Sequence, residues 1–189
     1  FHSNLVIHSD AETEYLNLHL QCYGVPAGGS AIAAGNISGT WNAAASPYYL
    51  CGDVAVAAGS RLDIGPGTEI VAMDVFTLSV GADAQLVAQG ALHDSVQFHA
   101  YDADAGWKGI EFNQSGGNDT LRFCRISQAR GDYVDDHGGA INMIASSPVL
   151  KNCRIAQNSG VYGGGLYCFE SSPVLQCCSV DHNEAAEFG

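Results

Sequence analysis

The feature that most constrains this sequence is an internal repeat of 25 residues near its C-terminal end. Residues 138–158 return as residues 163–183, with a glycine run, a Ser-Ser-Pro-Val-Leu motif, a cysteine and an asparagine all displaced by the same 25 positions. A fixed period shared by several separate motifs is the signature of a protein built from stacked copies of one unit. The fold must therefore place each residue of one copy beside its counterpart in the next.

Weaker copies of this unit extend toward the N-terminus. The Leu-x-x-Cys-x-Ile element of residues 150–155 has an earlier copy at residues 121–126, displaced by 29 positions, so four extra residues precede Gly138. Further upstream the repeat fades into apolar pairs separated by one residue. These pairs are Val54/Val56, Leu62/Ile64, Leu78/Val80, Leu86/Ala88, Val96/Phe98 and Ile110/Phe112. Apolar residues at alternate positions are typical of strands with one buried face.

Short strands joined by Gly, Asn and Ser-Pro corners would also fit a β-sandwich, but a sandwich gives no reason for one pattern to recur every 25 positions. A coil whose turns stack at roughly 4.8 Å explains the recurrence, because equivalent residues then form in-register columns. We therefore predict an all-β fold, a right-handed single-stranded parallel β-helix with about 25 residues per coil, preceded by an N-terminal β-hairpin.

Several residues have predicted positions in this solenoid. Cys124, Cys153 and Cys178 should form an inward-facing structural column of small apolar side chains, although stacked cysteines could also cross-link. Asn158 and Asn183 should form a second column, each in a left-handed bend with its amide bonded to its stacked neighbour. A disulfide between Cys22 and Cys51 would join hairpin and helix if the compartment is oxidising.

Charge and hydropathy exclude two classes of partner. Seven Lys and Arg against 20 Asp and Glu give a net charge of −13, so most of the surface should repel nucleic acid. No apolar run approaches the roughly 20 residues that cross a bilayer, so we expect no membrane span.

Residues 37–189 resemble the pectate-lyase-like right-handed parallel β-helix modules of bacterial secreted and cell-surface proteins. The resemblance rests on the following stretches: Gly39-Thr40-Trp41, Ser46-Pro47-Tyr48, residues 58–68, Trp107-Lys108-Gly109-Ile110, and the repeated GGAI/GGGLY and SSPVL motifs. That group includes polysaccharide-degrading enzymes, adhesins and modules with no assigned activity, so the resemblance implies a fold and an extracellular or cell-surface location more than a reaction.

The chain divides into three predicted parts. Residues 1–26 contain two strand patterns around a polar turn and are similar to the closing hairpin of an immunoglobulin-like domain. Residues 27–36 are a predicted linker, and residues 37–189 are the β-helix, which we expect to be truncated at its C-terminal end because the sequence stops as another coil begins.

The four extra residues before Gly138 place a loop at residues 129–137, and solenoid insertions commonly form binding surfaces. Asp135, Asp136 and His137 are candidates for general acid and base catalysis on a sugar, similar to the paired aspartates of β-helix polysaccharide hydrolases. Asp132, Asp135 and Asp136 are candidates for a cation site, with Ca²⁺ as the ion, and Asp102, Asp104 and Asp119 could hold Ca²⁺ elsewhere. The simplest interpretation of all these groups is a solvated acidic surface.

The expected function is a non-enzymatic structural or adhesive module of a large secreted or cell-surface protein, in which open coil ends could join copies into a filament. Its partners would be an extracellular polysaccharide or protein, or a second copy, and no cofactor is required. The alternative is a polysaccharide lyase or hydrolase with its site at the Ala129 to His137 loop.

Overall fold

The computed structural model describes residues 24–131 and 138–188, together with the backbone of two N-terminal strands. Those two strands, β1 (His2–Ile7) and β2 (Leu16–Gln21), pair antiparallel, with Leu5 opposite Leu18. A two-stranded antiparallel pair therefore lies within residues 1–26, where the sequence predicted a hairpin.

The remaining strands are short and follow one another around successive coils. In chain order they are β3 (Ser30–Ile32), β4 (Gly35–Ile37), β5 (Gly39–Trp41), β6 (Tyr48–Leu50), β7 (Val54–Val56), β8 (Arg61–Ile64), β9 (Glu69–Ala72), β10 (Thr77–Val80), β11 (Gln85–Gln89), β12 (Val96–Ala100), β13 (Gly109–Asn113), β14 (Thr120–Arg122), β15 (Cys124–Ile126), β16 (Ile141–Ile144), β17 (Val149–Lys151), β18 (Arg154–Ala156), β19 (Ser159–Tyr162), β20 (Leu166–Phe169), β21 (Val174–Gln176), β22 (Ser179–Asp181) and β23 (Glu184–Phe188). A single 3₁₀ turn, Ala43–Ala45, is the only helical segment among the described residues.

Three parallel sheets run along the coil axis, and each takes one strand from every coil. Sheet I is β4-β7-β10-β13-β16-β20, sheet II is β5-β8-β11-β14-β17-β21, and sheet III is β3-β6-β9-β12-β15-β18-β22. A small fourth sheet pairs β19 with β23. This is a parallel β-helix, as the repeat predicted. Its right-handed sense is the one that connections between parallel strands adopt almost without exception.

The strand register agrees with the predicted period. Leu150 pairs with Leu175 and Ile155 with Val180, both 25 positions apart, and the carbonyl of Pro148 accepts a hydrogen bond of 3.1 Å from the amide of Val174. The upstream apolar pairs stack in the same way, since Leu78 lies beside Val54 at an offset of 24. Residues one period apart in the sequence therefore occupy adjacent rungs.

The core is the interior of the coil, filled by columns of side chains that alternate with outward-facing residues. One column lies on sheet II: Trp41, Ile64, Ala88, Leu121, Leu150 and Leu175. Another on sheet III contains Ile70, Phe98, Ile126 and Ile155, all fully buried. Each buried Leu, Ile or Phe contributes about 1.5–3 kcal/mol relative to the exposed side chain, so the interior columns dominate the stability of the stack.

Left-handed residues form columns at the corners of the coil. Phe123, Asn152 and Cys177 have φ between +48° and +53° and follow strand residues that are in register. Gln157 and His182 occupy another such column, with φ of +61° and +53°. The prediction that Asn158 and Asn183 are themselves the left-handed residues is therefore wrong by one position, because the bend lies in the residue that precedes each asparagine.

Glycines near residue 138 allow adjacent coils to approach closely. A side chain on Gly139 would overlap the backbone carbonyls of Gly164 and Ser159 in the next coil, and one on Gly164 would overlap that of Glu184. Gly163 is the glycine of this run with a positive φ, at +68°. The repeated glycine motif is thus chiefly a motif of backbone packing between coils.

Candidate functional site

The predicted catalytic loop lies outside the described residues, which omit 132–137 and so omit Asp132, Asp135, Asp136 and His137. The structure describes the points where the chain leaves and returns. Ala129 is buried and bridges to Trp107, while Gly131 donates a backbone hydrogen bond of 2.9 Å to the carbonyl of Ser159. The segment before the loop is therefore hydrogen-bonded to the neighbouring coil. A role of the loop in catalysis or cation binding stays a prediction.

Two of the three aspartates proposed for Ca²⁺ outside that loop, Asp102 and Asp119, accept hydrogen bonds from the backbone. Asp102 Oδ1 accepts hydrogen bonds from the amides of Asp104, at 2.9 Å, and Ala105. Asp119 is buried, and its Oδ1 accepts from the amide of Leu86 at 2.8 Å, while its Oδ2 has no hydrogen-bond partner. Residues 24–131 and 138–188 contain no group of three or more His, Cys, Asp or Glu side chains that could share a metal ion.

The three cysteines of the predicted column lie in adjacent rungs of sheet III as free thiols. Cys124 and Cys153 are buried, and Cys178 is half-buried. Each sulfur lies near backbone carbonyls of its own and the preceding coil; for Cys153 these are the oxygens of Lys151 and Leu121, both at 3.3 Å. Burial raises the pKa of the Cys124 thiol well above its ordinary value, and the neighbouring Cys153 thiol adds to that effect.

The two asparagines form a hydrogen-bonded column. Asn158 Nδ2 donates to Asn183 Oδ1 at 2.9 Å, and Asn183 Nδ2 donates to the carbonyl of Ile155 at 2.8 Å. Asn158 makes the equivalent bonds to the preceding coil. Its Nδ2 donates to the carbonyl of Ile126, and its Oδ1 accepts from the amide of Ala129. Both amides thus hold the corner that follows sheet III.

A serine column was not predicted. The amide of Ser115 donates to Ser146 Oγ, and the amide of Ser146 donates to Ser171 Oγ, each at 3.0 Å. The signal in the sequence was the repeated Ser-Ser-Pro-Val-Leu motif, whose first serine stacks from coil to coil. The column replaces missing strand hydrogen bonds where the chain turns.

Cys51 carries a free, half-buried thiol in the structure, and burial raises its pKa. Cys22 lies outside the described residues. A disulfide between Cys22 and Cys51 accordingly stays a prediction.

The outer face of sheet III carries a polar row that the repeat did not reveal. Glu69, Gln97, Arg125 and Arg154 lie in register on consecutive strands. Beside this row, His99 Nε2 lies 2.8 Å from Glu69 Oε1, so the carboxylate orients the imidazole on the sheet surface. Arg154 pairs with Asp181 at 3.2 Å.

A second pair of cations lies across the corner on sheet II. Arg122 and Lys151 are in register there, on the other side of the corner column of Phe123, Asn152 and Cys177. A groove of about 290 Å³ follows this corner. Arg125, Arg154 and Ser179 of sheet III line it, together with Leu92.

Comparison with known proteins identifies no relative, because no family model, no curated protein and no solved structure matches this chain. The class of protein is therefore defined by its fold, a parallel β-helix solenoid. In the part of the chain that the structure describes, no helical segment has the length and apolar character needed to cross a bilayer.

Proposed function

We propose that this chain is a non-enzymatic structural and adhesive module of a large secreted or cell-surface protein, related to the pectate-lyase-like β-helix modules. The observation that supports this proposal is the continuity of the three sheets through successive coils, each with aligned side-chain columns. A solenoid of this kind holds its outer faces at fixed spacing, because every coil is hydrogen-bonded to both neighbours.

The interior supports the same proposal. Its columns consist of aliphatic and aromatic side chains, with asparagine and serine amides and hydroxyls bonded to the backbone at the corners. Such side chains supply packing and corner hydrogen bonds, and any recognition by the described coils must come from their outward-facing residues.

Cell-surface location is tested with an antibody raised against the whole chain. Intact cells of the source organism should be labelled, and brief treatment with an external protease should remove the label. Labelling that requires permeabilised cells would contradict the proposed location.

The enzyme alternative is tested by incubating the protein with a panel of neutral and uronate polysaccharides. We expect no loss of polymer chain length. Depolymerisation by the native protein that disappears in Asp135→Asn/Asp136→Asn would replace the structural proposal with the enzymatic one.

A further inference from the structure

The positive charge of this acidic protein is concentrated at one corner of the coil. Of seven Lys and Arg residues in the chain, four lie on two adjacent coils around the corner of Phe123 and Asn152. These four are Arg122 and Lys151 on sheet II and Arg125 and Arg154 on sheet III. We call this set the basic corner.

The in-register neighbours of the basic corner do not neutralise it. On sheet II the row continues to Gln89 on one side and Gln176 on the other, and on sheet III to Gln97 and Ser179. Among the described residues, no carboxylate lies within ion-pair distance of Arg122, Arg125 or Lys151. Of the four cations, Arg154 alone has a carboxylate partner among the described residues, Asp181.

Like charges are held together here by the fold. Parallel strands place Arg122 beside Lys151, and Arg125 beside Arg154, at roughly the 4.8 Å spacing of adjacent strands. Like charges in register destabilise a sheet, so an anion that bridges them would gain interaction energy that isolated surface cations do not offer.

We propose that the basic corner binds an anionic polysaccharide, whose sulfate or carboxylate groups contact the arginines and the lysine. The inference extends the adhesive part of the proposed function by naming a partner class and a surface. It does not depend on residues 132–137.

The groove residues favour a glycan over a nucleic acid. Neutral hydrogen-bonding groups also line the groove, among them Ser95, Asn152 and Ser179, which suit the hydroxyls of a sugar. The guanidinium of Arg122 lies 5.3 Å from the centre of the Phe123 ring, which leaves an apolar surface in the groove beside a fixed charge. A strand with a phosphate on every nucleotide would meet the protein's net charge of −13 beyond these two coils, whereas a sparsely charged glycan has neutral sugars to lie there.

The test uses dextran sulfate of low sulfate content as the probe and uncharged dextran as its matched control, with the whole chain in solution. We expect the protein to bind dextran sulfate and not dextran, with affinity that falls as salt is raised. Dextran that is carboxymethylated to the same low degree distinguishes carboxylate from sulfate as the preferred group.

Two substitutions, each of which removes one positive charge, test whether the basic corner is the binding surface. Arg125→Gln should weaken binding about tenfold, because charge-assisted hydrogen bonds are lost. Arg61→Gln should leave binding within about twofold, since Arg61 lies two coils away and is paired with Asp63. Circular dichroism and urea midpoints of both variants should match the parent, because both side chains are exposed.

Three results would overturn the inference. They are no retention on dextran sulfate, equal weakening by Arg61→Gln and Arg125→Gln, and equal or tighter binding of a single-stranded oligonucleotide. Each of them leaves the surface-labelling and depolymerisation tests of the proposed function unaffected, so the two proposals can fail separately.

Discussion

Asn158 Nδ2 donates a hydrogen bond of 2.9 Å to Asn183 Oδ1, which lies one coil farther along the axis. The same Oδ1 also accepts from the backbone amide of Asn158, at 3.1 Å. The pair therefore connects two rungs through both side chain and backbone, at a corner where the regular strand hydrogen bonds stop.

Substitution of Asn158 by Ala should destabilise the protein by about 2–4 kcal/mol, because the buried amide of Ala129 and the carbonyl of Ile126 both lose their side-chain partner. The free energy of unfolding in urea measures this loss. Asn36→Ala is the control, since Asn36 is exposed on a strand, and it should change stability by less than about 0.5 kcal/mol. Equal effects of the two substitutions would show that the column does not stabilise the coil.

Substitution of Gly139 by Ala should cost about 3 kcal/mol, because the new methyl group would overlap backbone carbonyls of Gly164 and Ser159 that cannot move independently. Gly116→Ala is the matched control: a side chain there has no atom within 4 Å. It should be neutral, or slightly stabilising through reduced freedom of the unfolded chain. Thermal unfolding of both variants tests the prediction, and a tolerated Gly139→Ala would show that the coils can separate locally.

The repeat predicted the fold because stacking converts sequence period into spatial register. Leu121, Leu150 and Leu175 share one column although their offsets differ, 29 and then 25, since extra residues leave as loops without disturbing the rungs. A longer coil follows the same principle, with Leu78 paired to Ile110 at an offset of 32 while the buried Trp107 lies in the intervening segment.

Two local features could not be predicted from the pattern. Left-handed positions are filled by Gln157 and His182, residues with no shared turn propensity, because the tertiary stack imposes the bend. The basic corner was also missed. Its cations lie 29 residues apart on either side of a bend, and only the register shows that Arg122 and Lys151 are neighbours.

Thiol accessibility should follow the position of each cysteine in the coil. Cys168 and Cys177 are exposed, whereas Cys124 and Cys153 are buried within the stack. Iodoacetamide at pH 8 should therefore modify Cys168 and Cys177 in the folded protein, and the buried pair only after denaturation, as read by mass spectrometry of peptides. Modification of Cys153 at the same rate as Cys177 would mean that the last coils open readily.

Stability should fall as pH rises above the ordinary range of a thiol, because burial raises the pKa of Cys124 in the folded chain. The folded state then keeps a proton that the unfolded chain releases. The contribution of this thiol to the free energy of unfolding is therefore fully present below the unfolded pKa of about 8.5, and it is lost as the pH rises above that value. The loss approaches about 1.4 kcal/mol per pH unit for one thiol.

Cys124→Ala/Cys153→Ala removes that titration together with the neighbouring thiol of Cys153, whose pKa the hydrogen bond with Cys124 lowers to about 7. The free energy of unfolding of this double variant should decline less steeply than that of the parent between about pH 8.5 and 10, although the variant is less stable throughout. Cys177→Ala, at an exposed corner, should keep the parent's slope. Parallel curves for the parent and the double variant would show that the Cys124 thiol ionises as easily inside the coil as in the unfolded chain.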